Sequence, residues 1–333
     1  MDKPFLRARL ATGGIAAIVC LAAAVSGLPG DGPAAGARDP SARVGQSASP
    51  VAGTLPVVAE HRYRIAAKIR PLLLFWIGKD DVGGARIRWR KGENDARGFD
   101  VLIGSDPARA PRKINRWGFI LEEITPEGAT VVGIIKRSDE ESLDEAKARV
   151  EAEGKGAIVF KMIRSAIGRT EAVSRLTTSS VPRDYSYREL DALVDVLTKE
   201  ATPPKVLTTP VAPGVRSGLL SATTELLHDG VDVVKRTGKP PGRKTLPYFY
   251  NAKQYELTRL SATVERAAKY GGVSYPTLLK SEFEIRTRKE SWAESFTIVC
   301  GVHEALAEVP VFLAYQPRWW FKVEMVLDER QVF

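Results

Sequence analysis

The chain has 333 residues, 44% of them hydrophobic and 27% charged, with a formal charge of +9. This composition excludes a disordered polymer and supplies one substantial core or two modest ones. The positive balance favours anionic neighbours such as lipid headgroups, anionic glycans or nucleic acid.

Lys3, Arg7 and Arg9 give a positive start, and an apolar run follows from Ile15 to Val25. Small residues at Ala24-Val25-Ser26 precede the break Gly27-Leu28-Pro29-Gly30. Residues 1–26 therefore read as a secretory signal peptide. The run is shorter than the roughly 20 residues of a spanning helix, and an uncleaved N-terminal anchor is the alternative. Export to the periplasm or cell envelope argues against nucleic acid as a partner. Of the two cysteines, Cys20 lies in the leader, so cleavage leaves Cys300 alone and excludes an intramolecular disulfide. Ile18 and Val19 stand where a lipoprotein signal carries small residues, which disfavours lipidation of Cys20. Residues 27–57, rich in Gly, Ala, Pro and Ser, have no hydrophobic period and read as a disordered tether.

The folded body starts near His61. Ala85, Ile87 and Trp89 alternate with Arg86, Arg88 and Arg90, the pattern of a half-buried strand with a basic outer row. Phe99, Val101 and Ile103 predict a second strand, and 114–124 and 129–136 two more, divided by Pro126-Glu127-Gly128. A helix is expected around 140–153 from Leu143, Ala146 and Val150, stopped by Gly154. Ser186 and Glu189 form a capping box for a second over 187–198, with Leu190, Leu193, Val194 and Leu197 on one face. Between them, 156–163 and 170–178 read as strands. The region 58–200 is thus β-rich with two helices.

The Pro/Thr-rich stretch within 201–216 reads as a linker. A helix from Ser217 to about His228 is expected to end at Gly230. Residues 254–268 fit a helix by Leu257, Leu260 and Val264, or a strand by Tyr255, Thr258 and Thr263. Later strands are plainer: Phe283 and Ile285; Phe296, Ile298 and Cys300; Val309, Val311, Leu313 and Tyr315; and a row of Trp319, Phe321, Val323, Met325 and Leu327. There is no fixed repeat. The expected fold is mainly β with accessory helices (α+β), an antiparallel curved sheet or barrel-like body in which each strand has one solvated face and 217–329 completes the structure begun by 58–200.

Three segments resemble a family of exported bacterial proteins known only as a domain of unknown function, the one numbered three thousand one hundred and eight. They are Phe75-Trp76-Ile77-Gly78 with Val82-Gly83-Gly84-Ala85, then Leu219-Leu220-Ser221-Ala222, then Glu308-Val309-Pro310-Val311 with Gln316-Pro317-Arg318-Trp319-Trp320. The resemblance implies a barrel-like body in the cell envelope and no activity. The stretch 138–200 departs from that pattern.

Reactive clusters are few. Cys300 and His303 could act as nucleophile and base, yet Cys300 continues an apolar strand face, where free cysteine is a small hydrophobe. A zinc site would lack ligands, since only His61 and His228 remain. His228, Asp229 and Asp232 have acid–base spacing, but a histidine at a helix end beside an Asp-Gly turn explains them structurally. No nucleophile elbow, zincin motif or P-loop is present, so no metal, cofactor or catalytic residue is assigned.

The basic, aromatic stretch 86–119 is the strongest binding signal. Arg86, Arg88, Arg90, Arg112, Lys113 and Arg116 could hold phosphate or carboxylate through forked hydrogen bonds, and the bland alternative is a solvated strand face with a charged loop. Trp320 is expected to point outward, opposite a core-facing Trp319, and to mark a protein, sugar or membrane contact. The expected function is an envelope binding or structural protein for an anionic lipid or glycan; the alternative is an envelope hydrolase with a site that no motif reveals.

Overall fold

The computed structural model describes residues 55–70, 76–110, 113, 115, 117–135, 151–152, 154–185, 204–215, 217–287, 293–303 and 306–328. The predicted leader, nearly all of the tether and the helix at 187–198 lie outside these residues, as does most of the helix at 140–153. Its last turn is helical, with Lys155 N–H donating to Glu151 O, and the turn closes at Gly156, with a positive φ of 84°, rather than at Gly154.

The first strands are β1 (Val57–Ile69), β2 (Ile77–Lys91), β3 (Arg97–Ser105), β4 (Trp117–Ile124), β5 (Ala129–Ile135), β6 (Ala157–Ile167), β7 (Glu171–Pro182) and β8 (Lys205–Pro210). One long helix, α1 (Leu219–Thr237), follows. The chain then forms β9 (Lys244–Tyr250), β10 (Lys253–Tyr270), β11 (Val273–Thr287), β12 (Ala293–Gly301), β13 (Pro310–Arg318) and β14 (Phe321–Leu327). The ambiguous stretch 254–268 is strand, and the expected linker at 201–216 contains β8.

All 14 strands belong to one sheet, in the order β8-β7-β6-β5-β4-β3-β2-β1-β14-β13-β12-β11-β10-β9. Every pairing is antiparallel. The described chain begins in the middle of the sheet: Tyr63 of β1 faces Ala85 of β2 on one side and Leu327 of β14 on the other. Its two edges are β8 and β9, neighbours in sequence but for α1. The end of β8 meets the β9–β10 hairpin, where Gln254 Nε2 at the start of β10 donates to Pro210 O at 2.9 Å, Ala212 N–H donates to Gln254 Oε1 at 3.0 Å and Thr209 Oγ1 donates to Ala252 O at 3.2 Å. The sheet is therefore strongly curved and nearly closes on itself, the barrel-like form that hides edges.

α1 lies inside this curve, against β3 on one wall and β9, β10 and β11 on the other. Leu219, Leu226, Leu227, Val231 and Val234 join Tyr63, Ile103, Val131, Phe283, Ile298 and Met325 in one core. At this scale, each fully buried large apolar side chain contributes about 1.5–3 kcal/mol. The helix runs past Gly230, where an end was expected, to a left-handed C-cap at Gly238 (φ 69°) whose N–H donates to Val234 O at 2.8 Å. Gly230 is a packing glycine: an added Cβ would stand 2.8 Å from Leu279 Cδ2 and 3.0 Å from Arg259 Nη1.

The expectation of one solvated face per strand fails for β3 to β7. Leu102, Trp117, Phe119, Leu121, Val132, Phe160 and Met162 form a second core on the face opposite α1. β4 is consequently buried on both faces along nearly its whole length rather than alternating between core and solvent. The long β10–β11 hairpin turns at Gly271-Gly272, both at positive φ (58° and 87°) as a two-residue hairpin loop demands. Its tip folds onto β13, with Tyr270 4.9 Å from Phe312 between ring centroids.

Candidate functional site

Strand alternation puts Arg86, Arg88 and Arg90 of β2 on the outer face, as expected, together with Glu60 and Arg62 of β1 and Asp100 of β3. Register then matters. Arg62 stands directly opposite Arg86, and Glu60 and Asp100 both stand opposite Arg88. Glu60 lies between two forks, with Arg62 Nε 2.7 Å from Oε1 and Arg88 Nε 2.5 Å from Oε2. Asp100 takes Arg90 Nε at 2.8 Å and lies 3.9 Å from Arg86 Nη2.

This row differs from the solvated face of the bland reading. The Arg86 side chain is only 7% exposed, while Arg88 and Arg62 keep 21% and 24%. Burial works against ionisation of Glu60, but the hydrogen bonds and charges of Arg88 and Arg62 outweigh it and hold its carboxyl below the ordinary range. For Asp100 burial wins over Arg90, Arg86 and Arg88 and raises the carboxyl. A fixed, partly desolvated set of guanidinium forks is suited to recognising planar or tetrahedral oxyanions.

Lys113 is exposed on the loop after β3, at a φ of 53°, while Arg112 and Arg116 lie outside the described residues. The two tryptophans exchange the roles expected of them. Trp319 is 56% exposed, whereas Trp320 is half-buried and packs on Phe321 with 5.9 Å between ring centroids. Arg318 pairs with Phe321, so both tryptophans occupy the hairpin turn, where strand alternation stops.

Cys300 is sealed in the core, opposite Leu279, and burial, aided by the charge of Glu308, pushes its thiol up to about 12. His303 is exposed beyond the end of β12. The pair is not a nucleophile with its base. The His228 cluster also divides: His228 Nδ1 meets Glu308 Oε1 at 2.7 Å and Nε2 lies 3.5 Å from Asp232, while Asp229 turns to Arg259 (2.7 Å) and Lys244 (2.8 Å). Burial opposes ionisation of Asp229, but the Lys244 and Arg259 bonds hold its carboxyl below the ordinary range. Among the described residues no group of three His, Cys, Asp or Glu is placed to hold a metal ion. No described helix is long and apolar enough to cross a membrane, which says nothing about strands.

Two buried ionic groups went unremarked in the sequence. Arg259 of β10 donates to Leu226 O at 2.6 Å and Gly242 O at 3.1 Å as well as to Asp229, fastening α1 and the loop after it to the sheet. Glu122 of β4 accepts from the first turn of α1. Its signal was its place two residues after the inward-facing Ile120, a carboxylate where alternation demands a core side chain.

No family model matches the chain, and no curated protein matches it. Among solved structures it is similar to a beta-barrel-like protein of the domain of unknown function DUF1849 from Brucella abortus, with 8% identity and a TM-score of 0.44 over 84% of this chain and 100% of that one. DUF1849 is not the family that the sequence motifs resemble.

Proposed function

We propose that this is an exported envelope protein that binds an anionic group on the outer face of β1 and β2, through Arg62 and Arg88 supported by Arg86 and Arg90. One observation carries the reading: two guanidinium groups, Arg62 and Arg86, directly opposed in register and partly withdrawn from water. Like charges directly across a sheet are destabilising, and withdrawing them from solvent adds a desolvation cost. Solubility alone needs neither. Glu60 and Asp100 lessen both costs and hold the forks in fixed orientations, the preorganisation that a recognition site needs. The concave side of the sheet is filled by α1 and its core, which directs a binding reading to the outside.

Binding of inorganic polyphosphate and of a soluble uronate oligosaccharide, measured at low and moderate salt, tests this. Arg62→Ala/Arg88→Ala is expected to weaken binding at least tenfold, the scale of a lost charge-assisted hydrogen bond. Arg88→Lys, which keeps charge but loses the fork, is expected to fall between. Salt-insensitive or absent binding by the parent chain counts against the reading, as does equal binding by a folded Arg62→Ala/Arg88→Ala protein.

A further inference from the structure

At one end of the sheet, the last residues of β1, the first of β2 and the β13–β14 turn make a single rim. Ile69 closes β1 and stands directly opposite both Ile77 of β2 and Phe321 of β14. Arg70 N–H then donates to Trp320 O at 2.7 Å, tying the end of β1 to the β13–β14 turn. The Arg70 guanidinium lies 6.0 Å from the centroid of the Trp76 ring. Of the large apolar side chains that the described surface exposes, Ile69, Trp76, Ile77 and Trp319 all gather on this rim.

We propose that this rim is a docking surface for a lipid bilayer bearing anionic headgroups, with Trp76, Trp319, Ile69 and Ile77 entering the interfacial layer and Arg70 meeting the headgroup phosphates. Clustered exposed apolar side chains on a folded protein mark an interaction surface. Tryptophan is the side chain best suited to a membrane–water boundary, since its ring is largely apolar and its indole N–H remains polar. The cation decides between occupants. Arg70 has no carboxylate partner among the described residues, and its Nε is shielded without a hydrogen bond. An apolar protein interface would leave that charge unmatched, whereas a phosphate layer complements it over its whole area. Lys68 and Lys322 stand opposite each other one residue from Ile69 and Phe321, on the other face of the sheet, and share Glu324, leaving a net positive charge at the same end. The site is separate from the β1–β2 arginine row, and its variants differ.

The test is co-sedimentation of the full chain with phosphatidylcholine vesicles, with and without about a third phosphatidylglycerol, at two salt concentrations. The leader's apolar run is common to every variant, so differences report the rim. Preferential, salt-sensitive partition into the anionic vesicles is expected. Trp76→Ala/Trp319→Ala should reduce it roughly tenfold through lost apolar burial, and Arg70→Glu about fivefold or more. Both changes are at exposed or half-exposed positions, and urea unfolding verifies that the variants fold. Arg62→Ala/Arg88→Ala should leave the partition unchanged, so loss of the anion site and loss of the rim are distinguishable. Equal partition of parent and Trp76→Ala/Trp319→Ala overturns the proposal. So does parent chain that ignores both vesicles, or a rim variant whose only change is loss of self-association.

Discussion

Ser221, in the first turn of α1, donates both its backbone N–H and its hydroxyl to one carboxylate oxygen of Glu122 on β4, at 2.8 and 2.7 Å. Leu220 N–H donates to the other oxygen at 2.6 Å. The first turn carries no acidic residue and its N-cap is Gly218, which has no side chain to cap with. A carboxylate 98 residues away in sequence supplies the cap and answers the helix dipole. Gly218 makes room for it, since any Cβ there would overlap the Glu122 carboxyl. The helix is thus seated across the curve of the sheet by a carboxyl group on the wall opposite to most of its apolar contacts.

Glu122→Ala is expected to cost about 3 kcal/mol, because it orphans buried donors of α1 and opens a void. Urea unfolding should show a lower midpoint. Burial raises the Glu122 carboxyl above its ordinary range, against the hydrogen bonds from Ser221 and Leu220 that favour ionisation. The folded state therefore holds the proton more tightly than the unfolded chain. This contribution to stability is complete below about pH 4.5 and declines as pH rises through the elevated folded value. Glu122→Gln should abolish that component of the pH profile; an unchanged profile would contradict the assignment.

Gly230→Ala gains about 1 kcal/mol of helix propensity, yet it is expected to destabilise. The new methyl would stand 2.8 Å from Leu279 and 3.0 Å from the guanidinium of Arg259, itself held by Leu226, Asp229 and Gly242. Overpacking of this kind costs about 1–3 kcal/mol. A thermal melt that rises on this substitution would show that the helix can move away from β10 and β11.

His228 should titrate above its ordinary value. The hydrogen bond to Glu308 raises it first, against slight burial, and the charges of Glu308 and Asp232 add to the rise while Lys235 opposes it. The stabilising pair is fully formed below the unfolded value of about 6.5 and is lost as pH climbs through the higher folded one. The side chain is 59% exposed, so the effect on stability is a fraction of a kcal/mol. Proton NMR of the imidazole gives the direct reading, and Glu308→Gln should move the midpoint down.

Cys300 is expected to resist thiol reagents. With the thiol pushed up to about 12, thiolate is scarce at pH 8, and burial blocks the sulfur from reagent. In a Cys20→Ser background, native labelling should run about a thousandfold slower than in urea. Rapid labelling of folded protein would mean that β12 opens readily.

Much of the sheet is legible in the chain because strand faces repeat every two residues. The period carried Phe283 and Ile285, Phe296 to Cys300, and Arg86 to Arg90 to their correct faces. It could not report depth. The face bearing Arg86 is an ion-pair layer that continues into a second apolar core, and whether a face meets water depends on what packs over it. Local signals misled at Gly230, where a helix breaker is a contact residue, and at Lys205–Pro210, where Pro and Thr occupy an edge strand that tolerates them. At Trp319 and Trp320 the period was carried into a turn, which does not obey it.

What the chain alone determined is the antiparallel β architecture, the inward rows and the positive charge, since alternation and composition are local quantities. Only the tertiary structure decided that β1 lies between β2 and β14, that α1 fills the curve, and that Glu122 caps it. It also brought Ile69, Arg70, Trp76, Ile77 and Trp319 to one rim. Two of those relationships, Glu122 with α1 and β1 with β14, join segments from 98 to more than 250 residues apart, and no pattern within a strand or helix encodes the distance between them.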